Sequence, residues 1–117
     1  MDTESIREYC RQKAAVTESF PFGETALVFK VKEKMFLLLV LDHVPARFNA
    51  KCDPDKAIEL REQYSCIQPG YHMNKRLWNT VTVDGSISAH LVKELIDDSY
   101  SLVVDSLPAK VRKDIGG

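Results

Sequence analysis

The sequence lacks an excess of charge of either sign: 16 lysines and arginines face 17 aspartates and glutamates, for a net charge of −1. Dedicated nucleic-acid binders carry a basic surplus, because phosphate contacts dominate their affinity. Any basic footprint here must therefore be local. Cysteine is also sparse. Cys10, Cys52 and Cys66 are odd in number, widely spaced and without a Cys-x-x-Cys pair, which argues against a disulfide framework and a zinc site. Reduced thiols and a cytoplasmic location are expected. The longest apolar run, Met35 to Leu41, is too short to span a bilayer. The polar start MDTESIREYC does not look like a signal peptide, so no membrane association is expected. No Gly/Pro/Ser-rich linker, repeat or low-complexity tract divides the chain, and one domain over residues 1–117 is expected. P-loop, GxGxxG and GxSxG motifs are absent.

What is present is a regular alternation of patterns. Asp2 or Thr3 can cap a first helix carrying Ile6, Tyr9 and Cys10 at helical spacing. FPFGE breaks the chain at residues 20–24. Leu27, Phe29 and Val31 alternate as in a half-buried strand, and Lys32–Glu33–Lys34 make a tight polar turn. MFLLLVL reads as a central strand with one face on helices and the other partly shielded, and RFNAK as a shorter strand after Pro45. A second helix starts at Asp53 as N-cap with Pro54 in the first helical position. Ala57, Ile58, Arg61 and Tyr64 run along one side of it. Trp78, Thr80 and Thr82 alternate with Asn79, Val81 and Val83 in a further strand. Residues near 88–106 predict a long helix with Leu91, Leu95 and Val103 inward, and Pro108 starts a last helical turn. This order predicts an α+β two-layer sandwich, with N- and C-terminal helices packed on a mostly antiparallel sheet.

Catalytic chemistry finds little support in the residues. Cys52 precedes a helix N-terminus, but the neighbouring Asp53 opposes thiolate formation, and an inert buried thiol is the favoured reading. His43, His72 and His90 fall in different elements without metal-ligand spacing. Asp97 and Asp98 are adjacent on a helix and point apart, while Asp53 and Asp55 belong to a helix start. No catalytic residue, metal or cofactor is expected.

Charge layout is more informative. Between Gln63 and Val83 there is no acidic residue, and the only charges are Lys75 and Arg76. Arg47 and Lys51 are likewise unopposed, and Lys30, Lys32 and Lys34 face only Glu33. Tyr71 and Trp78 would add stacking surface to these cations. Within PGYHMNKRLWNT, residues 69–80, the tight turn is expected at Asn74–Lys75, because asparagine tolerates left-handed backbone angles. The competing reading buries Trp78 in the core and leaves the lysines to solubilise strand edges.

PGYHMNKRLWNTV, together with FPFGE, VFKVKEKMF, KCDPDKAIELRE and DDSYSLVVDSLP, resembles the MmcQ/YjbR family over nearly the whole chain and in the same order. The resemblance implies a fold similar to the frataxin-like one and a DNA-binding role, with hairpins acting as a double wing. It marks Tyr71, His72, Asn74, Lys75, Trp78 and Asn79 as signature positions. Leu77 stands where family members usually carry a histidine before the tryptophan, which weakens a two-histidine site. Iron binding, suggested by the frataxin likeness, is rejected: Asp2, Glu4 and Glu8 are matched by Arg7, Arg11 and Lys13. The leading expectation is a non-enzymatic module with DNA or another nucleic acid as partner. Lys75 and Arg76 would contact phosphates, aided by Lys30, Lys32, Lys34, Arg47 and Lys51. The alternative is a protein- or small-ligand-binding domain using His72, Asn74 and Trp78. A third reading makes His72 a general base. The sequence leaves the oligomeric state open.

Overall fold

Alternating apolar residues pair into a sheet that only helices can cover on one side. In the computed structural model, which describes residues 1–116, α1 (Thr3–Arg11) precedes β1 (Val16–Ser19), β2 (Ala26–Val31), β3 (Lys34–Val40) and β4 (Arg47–Lys51). Then come α2 (Pro54–Gln63), β5 (Ile67–Pro69), β6 (Trp78–Thr82), α3 (Ala89–Asp105) and α4 (Ala109–Gly116). The six strands form one sheet in the order β1-β2-β3-β4-β6-β5, and every neighbouring pair is antiparallel. The α+β arrangement read from the sequence is the one found.

Residues opposite one another in an antiparallel ladder share a face, so the pairing separates the two surfaces. Leu27–Leu39–Phe48–Val81–Ile67 runs across the sheet as one row, and all five side chains belong to the buried core. From the helices, Ile6, Cys10, Val92, Leu95, Ile96 and Val103 fill the other side of that core. The second face is lined by Val28, Leu38, Asn49, Thr80 and Gln68 in one row. Arg47 and Thr82 lie in the row toward one end, and Lys51 and Trp78 toward the other. Loops cover part of this face, where Val28, Asn49, Thr80 and Trp78 are buried, while Leu38, Val40 and Arg47 stay partly exposed.

Short polar contacts hold the layers. Asp97 Oδ1 accepts from Tyr9 Oη at 2.7 Å and Lys13 Nζ at 2.5 Å, tying α3 to the end of α1. Asp98 Oδ2 accepts from Lys56 Nζ at 2.6 Å, tying α3 to α2. The two adjacent carboxylates thus point apart and serve different helices. Ser99, fully buried, donates to the Phe36 carbonyl and accepts from the Lys51 N–H at 2.8 Å. It bridges strands where the β2–β3 register shifts.

The helix caps at Asp2 and Asp53 satisfy free backbone N–H groups as expected, and Ser88 caps α3 in the same way. Three details differ from the sequence reading. A first strand, Val16–Ser19, follows α1 directly. On α2 the buried residues are Ala57 and Leu60, while Ile58 is exposed, because the short helix turns its three- and four-residue spacing toward β5. Leu91 is only partly buried, whereas Leu95 and Val103 are buried.

Candidate nucleic-acid interface

Two hairpins project from the same end of the sheet. Lys32 and Glu33 both have positive φ, at 48° and 70°. That is the two-residue turn whose twist matches antiparallel strands, and it presents Lys32 and Lys34 to solvent. The β5–β6 connection, residues 70–77, leaves the same end, because Lys51 pairs with Trp78 and Val31 pairs with Lys34. Lys51 therefore sits in the sheet between the two tips.

Residues 70–73 fold back across the open face instead of standing away from it. The Tyr71 N–H donates to Thr80 Oγ1 at 2.9 Å. Thr80 Oγ1 donates to Asn49 Oδ1 at 2.5 Å. Asn49 Nδ2 donates to the Tyr71 carbonyl at 3.3 Å. This closed relay of buried polar groups fixes the backbone at residue 71 on the sheet. Gly70 is required by close approach: a Cβ there would lie 2.8 Å from Trp78 Cβ and 3.0 Å from the Trp78 carbonyl oxygen.

The rest of the hairpin is held from behind. Arg61 of α2 donates from Nε to Asn79 Oδ1 at 2.6 Å and from Nη2 to the carbonyls of Lys75 and Trp78. Asn74 Oδ1 accepts from the Arg76 N–H at 3.0 Å, and the Asn74 carbonyl accepts from the N–H groups of Leu77 and Trp78. The turn is thus at Asn74–Leu77. The left-handed residue is His72, with φ 59°, not Asn74. Asparagine closes this turn with its side chain, so its tolerance of positive φ is not used.

Lys75 and Arg76 are exposed at the tip, and Lys75 Nζ reaches the Gly70 carbonyl at 3.3 Å. Trp78 is 9% exposed beneath the hairpin, and Asn79 is 3% exposed on the helix-facing side. Neither presents a binding surface: the expected stacking role of Trp78 gives way to support of the loop, and Asn79 is bonded to Arg61 and the Ala57 carbonyl. The most exposed aromatics are Tyr71 at 70% and Phe22 at 69%, followed by Phe20 at 48%. Phe22 escaped the sequence reading as a site residue because FPFGE reads as a chain break.

Between Phe22 and Tyr71 lies a cleft of about 650 Å³ with Leu38 and Val40 among its lining. Arg47, Asp42, His43, Asn49 and His72 supply its polar groups. Arg47 Nε donates to Thr82 Oγ1 at 3.1 Å. His43 Nδ1 lies 2.6 Å from the Pro45 carbonyl, an acceptor only, so Nδ1 carries the proton. His72 borders this cleft, but Asn74 and Trp78 do not, so the polar pocket expected around those three residues is not assembled. Among the described residues, no group of three or more His, Cys, Asp or Glu could hold a metal ion. All three cysteines are free and buried. Burial pushes the Cys52 thiol up, outweighing the nearby Lys56, and takes the Cys10 thiol to about 12.

The distribution of ion pairs is uneven. Every one found among the described residues uses Arg7, Arg11, Lys13 or Lys56, cations in or just after a helix. Lys30, Lys32, Lys34, Arg47, Lys51, Lys75 and Arg76 take part in none of them. Lys30, Arg47 and Lys51 are the charged strand residues of the open face. Glu18, the one acidic residue within a strand, pairs with Arg7 of α1 at 3.0 Å on the other side.

The sequence model of the YjbR family matches residues 11–102. The chain belongs to the YjbR family. Uncharacterized protein YbdF of Escherichia coli O157:H7 is 39% identical over 120 residues, covering 98% of both chains. Uncharacterized protein YjbR of Escherichia coli K12 is 32% identical over 114 residues, covering 97% of this chain and 96% of its own. The crystal structure of a Deinococcus radiodurans protein with the domain DUF419 superposes with a TM-score of 0.93 at 38% identity, over 98% of this chain and 88% of that one. A Pseudomonas syringae protein gives 0.75 at 26% identity, over 87% and 98%. The YjbR fold therefore extends across the strands and hairpins that carry the unpaired cations. No helix among the described residues is long and apolar enough to cross a membrane.

Proposed function

We propose that this YjbR-family chain is a nucleic-acid-binding module that works without chemistry. The observation that carries the reading is the separation of charge. Among the described residues, Arg7, Arg11, Lys13 and Lys56 of the helix layer are paired with carboxylates, although Arg61, Lys93 and the basic residues of α4 are not, whereas every cation of the open face and the hairpin tips is left unpaired. Unpaired, solvated lysines and arginines release counterions from a phosphate backbone at little desolvation cost. Lys32, Lys34, Lys51, Lys75 and Arg76 come from one end of the sheet, so a backbone can meet both wings together. A net charge of −1 does not oppose this, because the field near a surface follows the local charges within about 10 Å at 0.1 M salt.

Binding of short DNA and RNA, followed across a salt series, tests the proposal. Changing Lys75 and Arg76 together to alanine is expected to weaken binding alike across sequences. It should flatten the log–log salt slope by roughly 0.7–0.9 per lost contact. No binding at low salt, or equal slopes for wild type and double variant, overturns the reading. A small-ligand site is then the better account, resting on the cleft of about 650 Å³, a size that suits compact organic ligands.

A further inference from the structure

The open face offers ring surfaces as well as charge. Phe22 and Tyr71, each about two-thirds exposed, stand at the cleft whose lining includes Leu38 and Val40. Large aromatic side chains are rarely left so bare without a partner. Both are held by anchored backbone: Tyr71 by the Asn49–Thr80 relay, and Phe22 by a tight turn in which the Gly23 N–H donates to the Phe20 carbonyl at 3.4 Å. Tyr71 also packs against the His72 ring, with centroids 4.0 Å apart, which limits its freedom.

We propose that this cleft receives an unpaired base, so that the ligand of the open face is single-stranded nucleic acid. The inference rests on the nucleic-acid reading above and names the form of its ligand. In a duplex the faces of the bases are stacked on one another, and only their edges are offered in the grooves. A cleft with aromatic walls and an apolar floor has nothing to gain from those edges alone. An unstacked base presents a flat face to Tyr71 or Phe22, and its edge reaches polar groups. Asp42 and Arg47 supply an acceptor and a donor beside that floor. A carboxylate repels phosphate but accepts from the exocyclic amine of a base. Asp42 therefore places the base, not the backbone, in the cleft. The backbone runs past Lys30 and Lys51, the open-face cations of the sheet half toward the hairpin tips.

The test compares a mixed-sequence single strand of roughly twelve nucleotides with its duplex, using wild type, Tyr71→Ala, Phe22→Ala, Tyr71→Phe and a Lys30→Ala/Lys51→Ala variant. Because Tyr71 and Phe22 are exposed, their loss leaves the fold intact, which thermal melts confirm. Wild type is expected to prefer the single strand. Tyr71→Ala or Phe22→Ala should weaken single-strand binding about fivefold to 150-fold with the salt slope unchanged, and Tyr71→Phe should keep it. The double lysine variant should instead flatten the slope on both ligands. Equal affinity for strand and duplex, with Tyr71→Ala neutral on both, overturns the single-strand inference while the nucleic-acid reading stands. No binding to either ligand at low salt overturns both.

Discussion

Replacing Phe48 by alanine is expected to cost about 3–5 kcal/mol of folding stability. Phe48 is fully buried in the middle of β4, between Leu39 of β3 and Val81 of β6. Truncation removes its transfer free energy and leaves a cavity that two flanking strands and a helix layer cannot collapse to fill. A domain of this size has roughly 5–15 kcal/mol in total, so the variant should be close to unfolding at physiological temperature. The consequence for function is direct. On its other face β4 carries Arg47, Asn49 and Lys51, so the same residue that fixes the core fixes the charged face. A urea titration reads the loss. A cost below about 1.5 kcal/mol would mean that this face of β4 is not the core face.

Arg61→Ala is expected to cost about 2–3 kcal/mol, unusual for a residue on a helix next to solvent. The guanidinium joins α2 to three acceptors on the 75–79 segment. Without it Asn79 Oδ1 stays buried and unsatisfied, and the hairpin loses its rear support. Arg61→Lys should recover only part of the loss, because an ammonium lacks the planar fork that spans these acceptors. Amide hydrogen exchange at residues 75–78 should quicken by more than elsewhere in the sheet. Wild-type exchange there, with undiminished stability, would show that the hairpin holds itself.

The parts of the fold that were legible are those in which one local pattern decides the outcome. Asp2 and Asp53–Pro54 are strong helix starts, and the Lys32–Glu33 turn and the Leu27–Phe29–Val31 alternation need no tertiary context. β1 was not legible, since Val16–Ser19 is short, polar and followed by Phe-Pro-Phe-Gly. Its strand state comes from pairing with β2 and from the Glu18–Arg7 bridge. For the candidate site, the unpaired cations could be read from the absence of nearby acids. The cleft could not. Phe22, Asp42, Asn49 and Tyr71 come from separate segments, brought together by the pairing of β2, β3 and β4 and by the folding back of residues 70–73. Trp78 was misleading for a related reason: its neighbours suggested a stacking surface, but the hairpin it supports lies over it.

Nucleic acid is proposed to meet the open face of the sheet and both hairpin tips. Backbone amide chemical shifts, followed while a short single-stranded oligonucleotide is titrated in at low salt, locate the contact residue by residue. Changes are expected at Lys30, Lys32, Arg47, Lys51 and residues 71–76, with α3 from Glu94 to Asp105 unmoved. Changes centred on α1 and α3, or none at all, would contradict it.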